Sequence, residues 1–155
     1  MIFFGGVDPG KTGALAIISE DENFIHIIDW DEPPILWGNL TKFPNWAHTK
    51  MVVIEKVHSM PGQGVSSSFK FGTNYGQWQM ALSALSVPYA EITPQRWRKI
   101  LDSSVPTKPS KEDLRQFALR RFPKATDFIS KKRDEGRAEA LIIALFAKSL
   151  IKGGS

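Results

Sequence analysis

The first thirteen residues, MIFFGGVDPGKTG, set the tightest limits on how this chain can fold. Four apolar residues lead into Gly5 and Gly6, and Val7 and Asp8 are followed by the breaker pair Pro9-Gly10. From Ala14 to Ile18 the chain is apolar again. This pattern predicts a strand, a tight turn and a second strand, with Asp8 where the first strand ends. Glycines clear the space beside it, so its carboxylate is well placed to hold a metal ion. The same letters satisfy the phosphate-binding loop pattern, Gly5-x-x-x-x-Gly10-Lys11-Thr12, but that loop needs a helix beginning at its Lys-Thr pair. Here Leu15, Ile17 and Ile18 are followed by polar Ser19 to Asn23 and apolar Phe24 to Ile28, which is a hairpin pattern. A third reading makes Asp8-Pro9-Gly10 a plain turn, with Asp8 as its hydrogen-bonding first residue.

The 155 residues, 42% hydrophobic with five Trp and ten Phe, suit one domain over residues 1–151 with a flexible tail over 152–155. No stretch approaches the ~20 apolar residues of a membrane span, and no basic segment precedes the first apolar run, so neither a membrane segment nor a signal peptide is expected. The absence of cysteine excludes disulfides and thiolate metal sites and fits a cytoplasmic setting. A net charge of +4 permits a nucleic-acid partner without requiring one.

Along the chain, Met1 to Val7, Gly13 to Ser19 and Phe24 to Trp30 read as three consecutive antiparallel strands. Ile35 to His48 reads as a helix, irregular near Pro44. Met51 to Ile54 is a continuous apolar run, expected to be a strand buried on both faces, and it ends at Glu55. Residues 56–68 form a Gly-, Pro- and Ser-containing loop. Phe69 to Leu85 has helical spacing, with Phe69, Gly72, Gly76, Met80 and Ser83 on one stripe. Two glycines one turn apart cost about 1 kcal/mol each relative to Ala, which suggests close approach by a partner or by the sheet. Val87 to Ile92 reads as a strand. Thr93-Pro94 opens a short helix, and Ser110 caps a helix over Lys111 to Phe122. Pro123 to Lys132 is irregular, and Asp134 to Ile151 is a strongly apolar helix.

That last helix carries Glu135 and Glu139, spaced i, i+4 and hence on one face. Asp134 is its natural N-cap. Glu139 lies inside an apolar run where its only evident partners are Arg137 or a metal. Asp8, Glu55, Glu135 and Glu139 converge if the first and fourth strands are neighbours. Such a group repels itself unless hard divalent cations are present, and Mg²⁺ or Mn²⁺ suits oxygen-only ligands. Two ions ~4 Å apart would clamp the attacking and leaving oxygens of a phosphodiester.

Three segments together resemble the RuvC-type Holliday-junction resolvases, especially their phage-borne forms, in the ribonuclease H-like superfamily. They are Gly6-Val7-Asp8-Pro9-Gly10 with Thr12-Gly13, Val53 to Val57, and Gly136 to Ala144; Phe71-Gly72 with Gly76 resembles the family's dimer-forming helix. The resemblance implies an α/β fold: a mixed five-stranded sheet, order 3-2-1-4-5, flanked by helices. It also implies a Mg²⁺-dependent homodimer, with Mn²⁺ as substitute, that makes paired cuts across a four-way DNA junction and leaves 5′-phosphates. By position, Asp8, Glu55 and Glu139 are metal ligands. The bacterial pattern has an acid where this chain has Gly136, whereas the phage pattern has one where this chain has Glu135; Glu135 or adjacent Asp134 is the third ligand. Lys111 resembles the basic residue facing the scissile phosphate. His58 stands near the position where the bacterial members of the family carry an aromatic that wedges into the junction, or is a loop residue only. Lys56, Lys70, Lys108, Lys131, Lys132, Arg133 and Arg137 are candidates for phosphate contacts, which position DNA without reading sequence.

Three other functions remain as alternatives: a catalytically silent junction binder, a phosphate-loop nucleotide-binding protein, and a sugar-kinase or actin type of ATPase. The last needs two such domains.

Overall fold

The computed structural model describes residues 1–58 and 60–153. Its strands are β1 (Phe3–Asp8), β2 (Ala14–Ser19), β3 (Ile25–Asp29), β4 (Thr49–Glu55) and β5 (Tyr89–Ile92). Its helices are α1 (Pro33–Lys42), α2 (Val65–Ala84), α3 (Pro94–Trp97), α4 (Lys111–Arg121), α5 (Thr126–Ile129) and α6 (Glu135–Lys152). The strands form one mixed sheet in the expected order, β3-β2-β1-β4-β5. β2 pairs antiparallel with β1 and β3, while β4 pairs parallel with β1 and β5. Helices cover both faces, so every residue of β1 and β2 is buried. This is why those strands read as unbroken apolar runs.

Alternate residues of β1 serve the two faces. Phe3 and Val7 pack with Leu36 and Leu40 of α1 and with Trp78 and Leu82 of α2. Phe4 packs on the other face with Leu114, Ala140, Leu141 and Ala144. Gly6 shares the direction of Phe4. A Cβ at Gly6 would lie 2.2 Å from the Ala144 amide nitrogen and 2.4 Å from the Ala140 carbonyl oxygen. The missing side chain lets the backbone of α6 rest directly on β1. At its far end α6 is tied to the β2–β3 turn, where Lys148 reaches Glu22 at 2.6 Å and Arg121 of α4 pairs with the same carboxylate.

Several boundaries differ from the sequence-based expectation, each for a local reason. The helix expected over Ile35 to His48 is α1, which starts at Pro33 and ends before Pro44. Proline fits a first helical turn, where its absent N–H is not needed, but it disfavours helical backbone in the residue before it. Trp46 to His48 form a separate 3-10 turn, anchored by Trp46 Nε1 donating to the Leu40 carbonyl at 2.8 Å. α2 starts at Val65, directly after Gly64 and four residues before the expected Phe69. The stripe of Phe69, Gly72, Gly76 and Met80 does not meet the sheet. Phe69 and Met80 are 77% and 69% exposed, and nothing lies within 4 Å of a Cβ at either glycine. Asn74, Trp78 and Leu82 face inward instead. Lys152, expected to begin a tail, is the last residue of α6 and lies 3.1 Å from Glu20; positions 154 and 155 of that expected tail lie outside the described residues.

The Gly6 contact predicts an unusually costly substitution. Gly6→Ala is expected to lose about 3 kcal/mol or more in urea denaturation, beyond the upper end of ordinary overpacking, because backbone cannot rotate away. Gly38→Ala is the control: nothing lies within 4 Å of a Cβ in that helix, and the change is expected to stabilise by about 0.5–1 kcal/mol.

Candidate metal centre

Strand register brings the first two carboxylates together. Val7 of β1 lies beside Ile54 of β4 in the parallel pair, so the next residues, Asp8 and Glu55, leave the sheet side by side. Phe4 and Gly6 share the direction of Asp8, and Val53 shares that of Glu55. All three neighbours face α6, so both carboxylates project toward it. There they meet Glu139. Ligand oxygens of Asp8, Glu55 and Glu139 all lie within 4.8 Å of one another. The residues are 9%, 8% and 1% exposed.

Each carboxylate is held by a different device. The Gly10 amide donates to Asp8 Oδ1 at 3.0 Å, and the Gly13 amide closes the turn onto the Gly10 carbonyl at 2.9 Å. A Cβ at Gly13 would sit 1.9 Å from the Asp8 carbonyl oxygen, so this turn requires glycine. The turn leads into strand β2, not a helix, and the phosphate-loop reading of Gly5 to Thr12 fails on that ground. Trp97 of α3, itself fully buried, donates its indole N–H to Glu55 Oε2 at 2.7 Å. Glu139 accepts from Lys111 Nζ at 2.5 Å. Lys111 is the first residue of α4, which is fixed by a reciprocal cap between Ser110 and Asp113.

The electrostatics are those of crowded acids out of water. Burial raises the Asp8 pKa above its ordinary value, the Gly10 amide opposes this, and Glu55 adds to the rise. Burial and then Glu139 raise that of Glu55, against the Trp97 hydrogen bond. Burial and the facing Asp8 push the Glu139 carboxyl up to about 7, despite Lys111. Burial alone would lower the Lys111 pKa, but Glu139, Asp8 and Glu55 together raise it. One ammonium facing three acids undercompensates them. An oxygen-only donor set with excess negative charge could hold a hard divalent cation such as Mg²⁺ or Mn²⁺.

The remaining candidates are dispersed. Glu135 sits half-buried in the first turn of α6, outside the group of three. Asp134 is buried, but its Oδ2 accepts from the Lys131 amide at 2.9 Å and its Oδ1 lies 3.6 Å from Arg137. Gly136, three residues before Glu139, abuts the β1–β2 turn: a Cβ there would lie 2.2 Å from the Thr12 carbonyl oxygen. That position admits no side chain of any kind. Arg137, expected as a partner for Glu139 or for phosphate, instead grips Asp29 through two hydrogen bonds of 2.8 and 2.6 Å. Lys56, Lys70, Lys108, Lys131, Lys132 and Arg133 are exposed, and so is His58. Lys56 and His58 line a cleft of about 790 Å³ with Met60 and Phe71. Sequence reasoning assigned Trp97 no role at Glu55; the two are 42 positions apart, and no local pattern links them.

The raised Glu139 pKa makes metal-free stability depend on pH. A carboxyl whose folded pKa lies above its unfolded value contributes stability that is complete below about 4.5 and is lost as pH rises through about 7. Glu139→Gln keeps the neutral form at every pH. In EDTA, the Tm of the variant minus that of the wild type is expected to be larger at pH 8.5 than at pH 5. Thermal melts giving the same difference at both would contradict the assignment.

No family model and no curated protein matches the sequence. Solved structures do. Thermus thermophilus RuvC in complex with a Holliday junction substrate is 16% identical, with a TM-score of 0.63 over 99% of this chain and 97% of that one. A second Thermus thermophilus RuvC structure is 17% identical, with a TM-score of 0.64 and the same coverage. With the strand order and helix placement above, these likenesses show that the chain has the RuvC-type, ribonuclease H-like fold.

Proposed function

We propose that the chain is a structure-selective DNA endonuclease, a Holliday-junction resolvase that nicks four-way or branched DNA in pairs and leaves 5′-phosphate and 3′-hydroxyl ends. The observation that carries the reading is the convergence of buried Asp8, Glu55 and Glu139 at the ends of two parallel strands and on α6. The fold neighbour solved with a Holliday junction substrate supports it. In this reading residues 1–151 act as one nuclease unit in the cytoplasm. Among the described residues, no helix is long and apolar enough to cross a membrane.

Asp8, Glu55 and Glu139 would hold the cation, with Glu135, one helical turn before Glu139, as the remaining acid for a second one. Bound Mg²⁺ would neutralise phosphate charge and lower the pKa of water for attack on phosphorus. The protein's own groups orient the site. Trp97 fixes Glu55, the Gly10 amide fixes Asp8, and Lys111 balances Glu139. The Lys111 side chain is 60% exposed, so its ammonium would also be available to face a phosphate lying over the carboxylates.

A homodimer through α2 belongs to the same proposal. Phe69, Gly72 and Met80 are exposed and Gly76 is half-buried along one stripe, and Met80 borders an apolar cleft of about 310 Å³ with Leu36 and Trp37. Paired nicks need two active sites, and a two-fold dimer supplies them.

In Mg²⁺, the protein is expected to nick a synthetic four-way junction symmetrically and to leave linear duplex intact. Glu55→Gln is expected to slow cleavage by about 100-fold or more, since even changes behind a metal ligand cost 10- to 100-fold. Tight junction binding with no cleavage in Mg²⁺ or Mn²⁺ would favour a silent binder; no binding would reject the proposal. For the dimer, sedimentation at micromolar concentration is expected to give two chains per particle, and Gly76→Arg one. Monomer from the unaltered protein would exclude the α2 interface.

A further inference from the structure

Lys11 belongs to the sequence pattern that resembles a phosphate loop, yet the fold gives it a strand instead of a helix to lead into. It points to phosphate by another route. Lys11 lines a cleft of about 360 Å³ with Ser66, Ser67, Lys70 and Asn74 of α2. The cleft thus lies between the turn that begins at Asp8 and the first turns of a 20-residue helix.

Four features of this cleft favour an anion. Among the described residues, neither Lys11 nor Lys70 forms a salt bridge, and no carboxylate lines the cleft. The start of α2 is uncompensated, because its N-cap is Gly64, with no side-chain cap, and its first turn holds no acid. The amides of that turn therefore keep their partial positive charge. Asn74 supplies independent support. It is only 5% exposed, its side chain has no hydrogen-bond partner among the described residues, and it lines this cleft. The amide opens onto the cleft with no such partner, so its N–H groups are available to donate to a ligand oxygen.

We propose that this cleft is a phosphate subsite that takes a non-scissile backbone phosphate of branched DNA. The assignment of DNA as the source rests on the endonuclease reading. Lys11 follows Asp8 by three residues, so their Cα atoms are at most ~11 Å apart. The phosphate held here is thus close along the strand to the one at the carboxylates. Two fixed points on one strand set its direction across the metal site, which a single point cannot do.

The test is junction binding without divalent cation, measured against salt concentration. Each neutralised phosphate contributes about 0.9 to the slope of log K against log salt. Lys11→Gln with Lys70→Gln is expected to reduce that slope by about 1, whereas Lys50→Gln, on an exposed position of β4, leaves it unchanged. One neutral methylphosphonate placed near the cut is expected to weaken wild-type binding and not to weaken binding by the double variant. Asn74→Leu is expected to cost about 3- to 10-fold in affinity while both lysines are present. Equal slopes for wild type and double variant, or no methylphosphonate position that distinguishes them, would overturn the subsite while leaving the endonuclease reading intact. If the wild type binds no junction, the endonuclease reading and the DNA source fail together. Titration with ATP and inorganic phosphate then decides the cleft: a shift of the Asn74 side-chain amide that the double variant loses keeps a phosphate site for a free nucleotide, and no shift overturns it.

Discussion

The direct contact of the α6 backbone with β1 at Gly6 governs the rest of the structure. Ordinary helix–sheet packing separates the two layers by interdigitating side chains. Here a hydrogen atom stands where a side chain would, and the Ala140 and Ala144 segment settles onto the strand. That approach lets Glu139 share one pocket with carboxylates from the sheet. It also buries the acids, and burial is what raises their affinity for protons.

Much of this was legible in the sequence because strand parity is a strong code. Asp8 and Glu55 each end an apolar run, and parallel pairing of those runs makes their convergence a geometric necessity. The i, i+4 spacing of Glu135 and Glu139 correctly placed both on one helical face. It could not show that only Glu139 reaches the pocket, which depends on where the helix contacts the sheet. Gly136 held that information: a glycine near the start of an otherwise well-packed helix marks the contact with Thr12.

The partners of the carboxylates were harder to read. Lys111 was legible as a basic residue at a capped helix start, but Trp97 reads as ordinary core. Its indole reaches Glu55 across the sequence only because β5 lies beside β4. Arg137 illustrates the opposite error. Proximity along the helix suggested Glu139 as its partner, yet the guanidinium points to the far strand and binds Asp29. On α2 the spacing of Gly72 and Gly76 suggested close approach by a partner or by the sheet, but it could not show the direction of the stripe, which turns away from the sheet with nothing within 4 Å of a Cβ at either glycine.

α6 is gripped at both ends, by Gly136 against the β1–β2 turn and by Lys148 on Glu22 of the next turn. Moving the helix sequence by one residue would rotate Glu139 by about 100° and carry it out of the pocket. The helix therefore works as a ruler whose two end stops belong to the same hairpin region of the sheet. Backbone contact and strand register bring the three acids to one place, and the hydrogen bonds from Gly10, Trp97 and Lys111 then orient their side chains. An insertion or deletion of one residue between Gly136 and Lys148 would thus destroy the centre even if every acid were kept, whereas changes in the exposed stripe of α2 leave that spacing untouched.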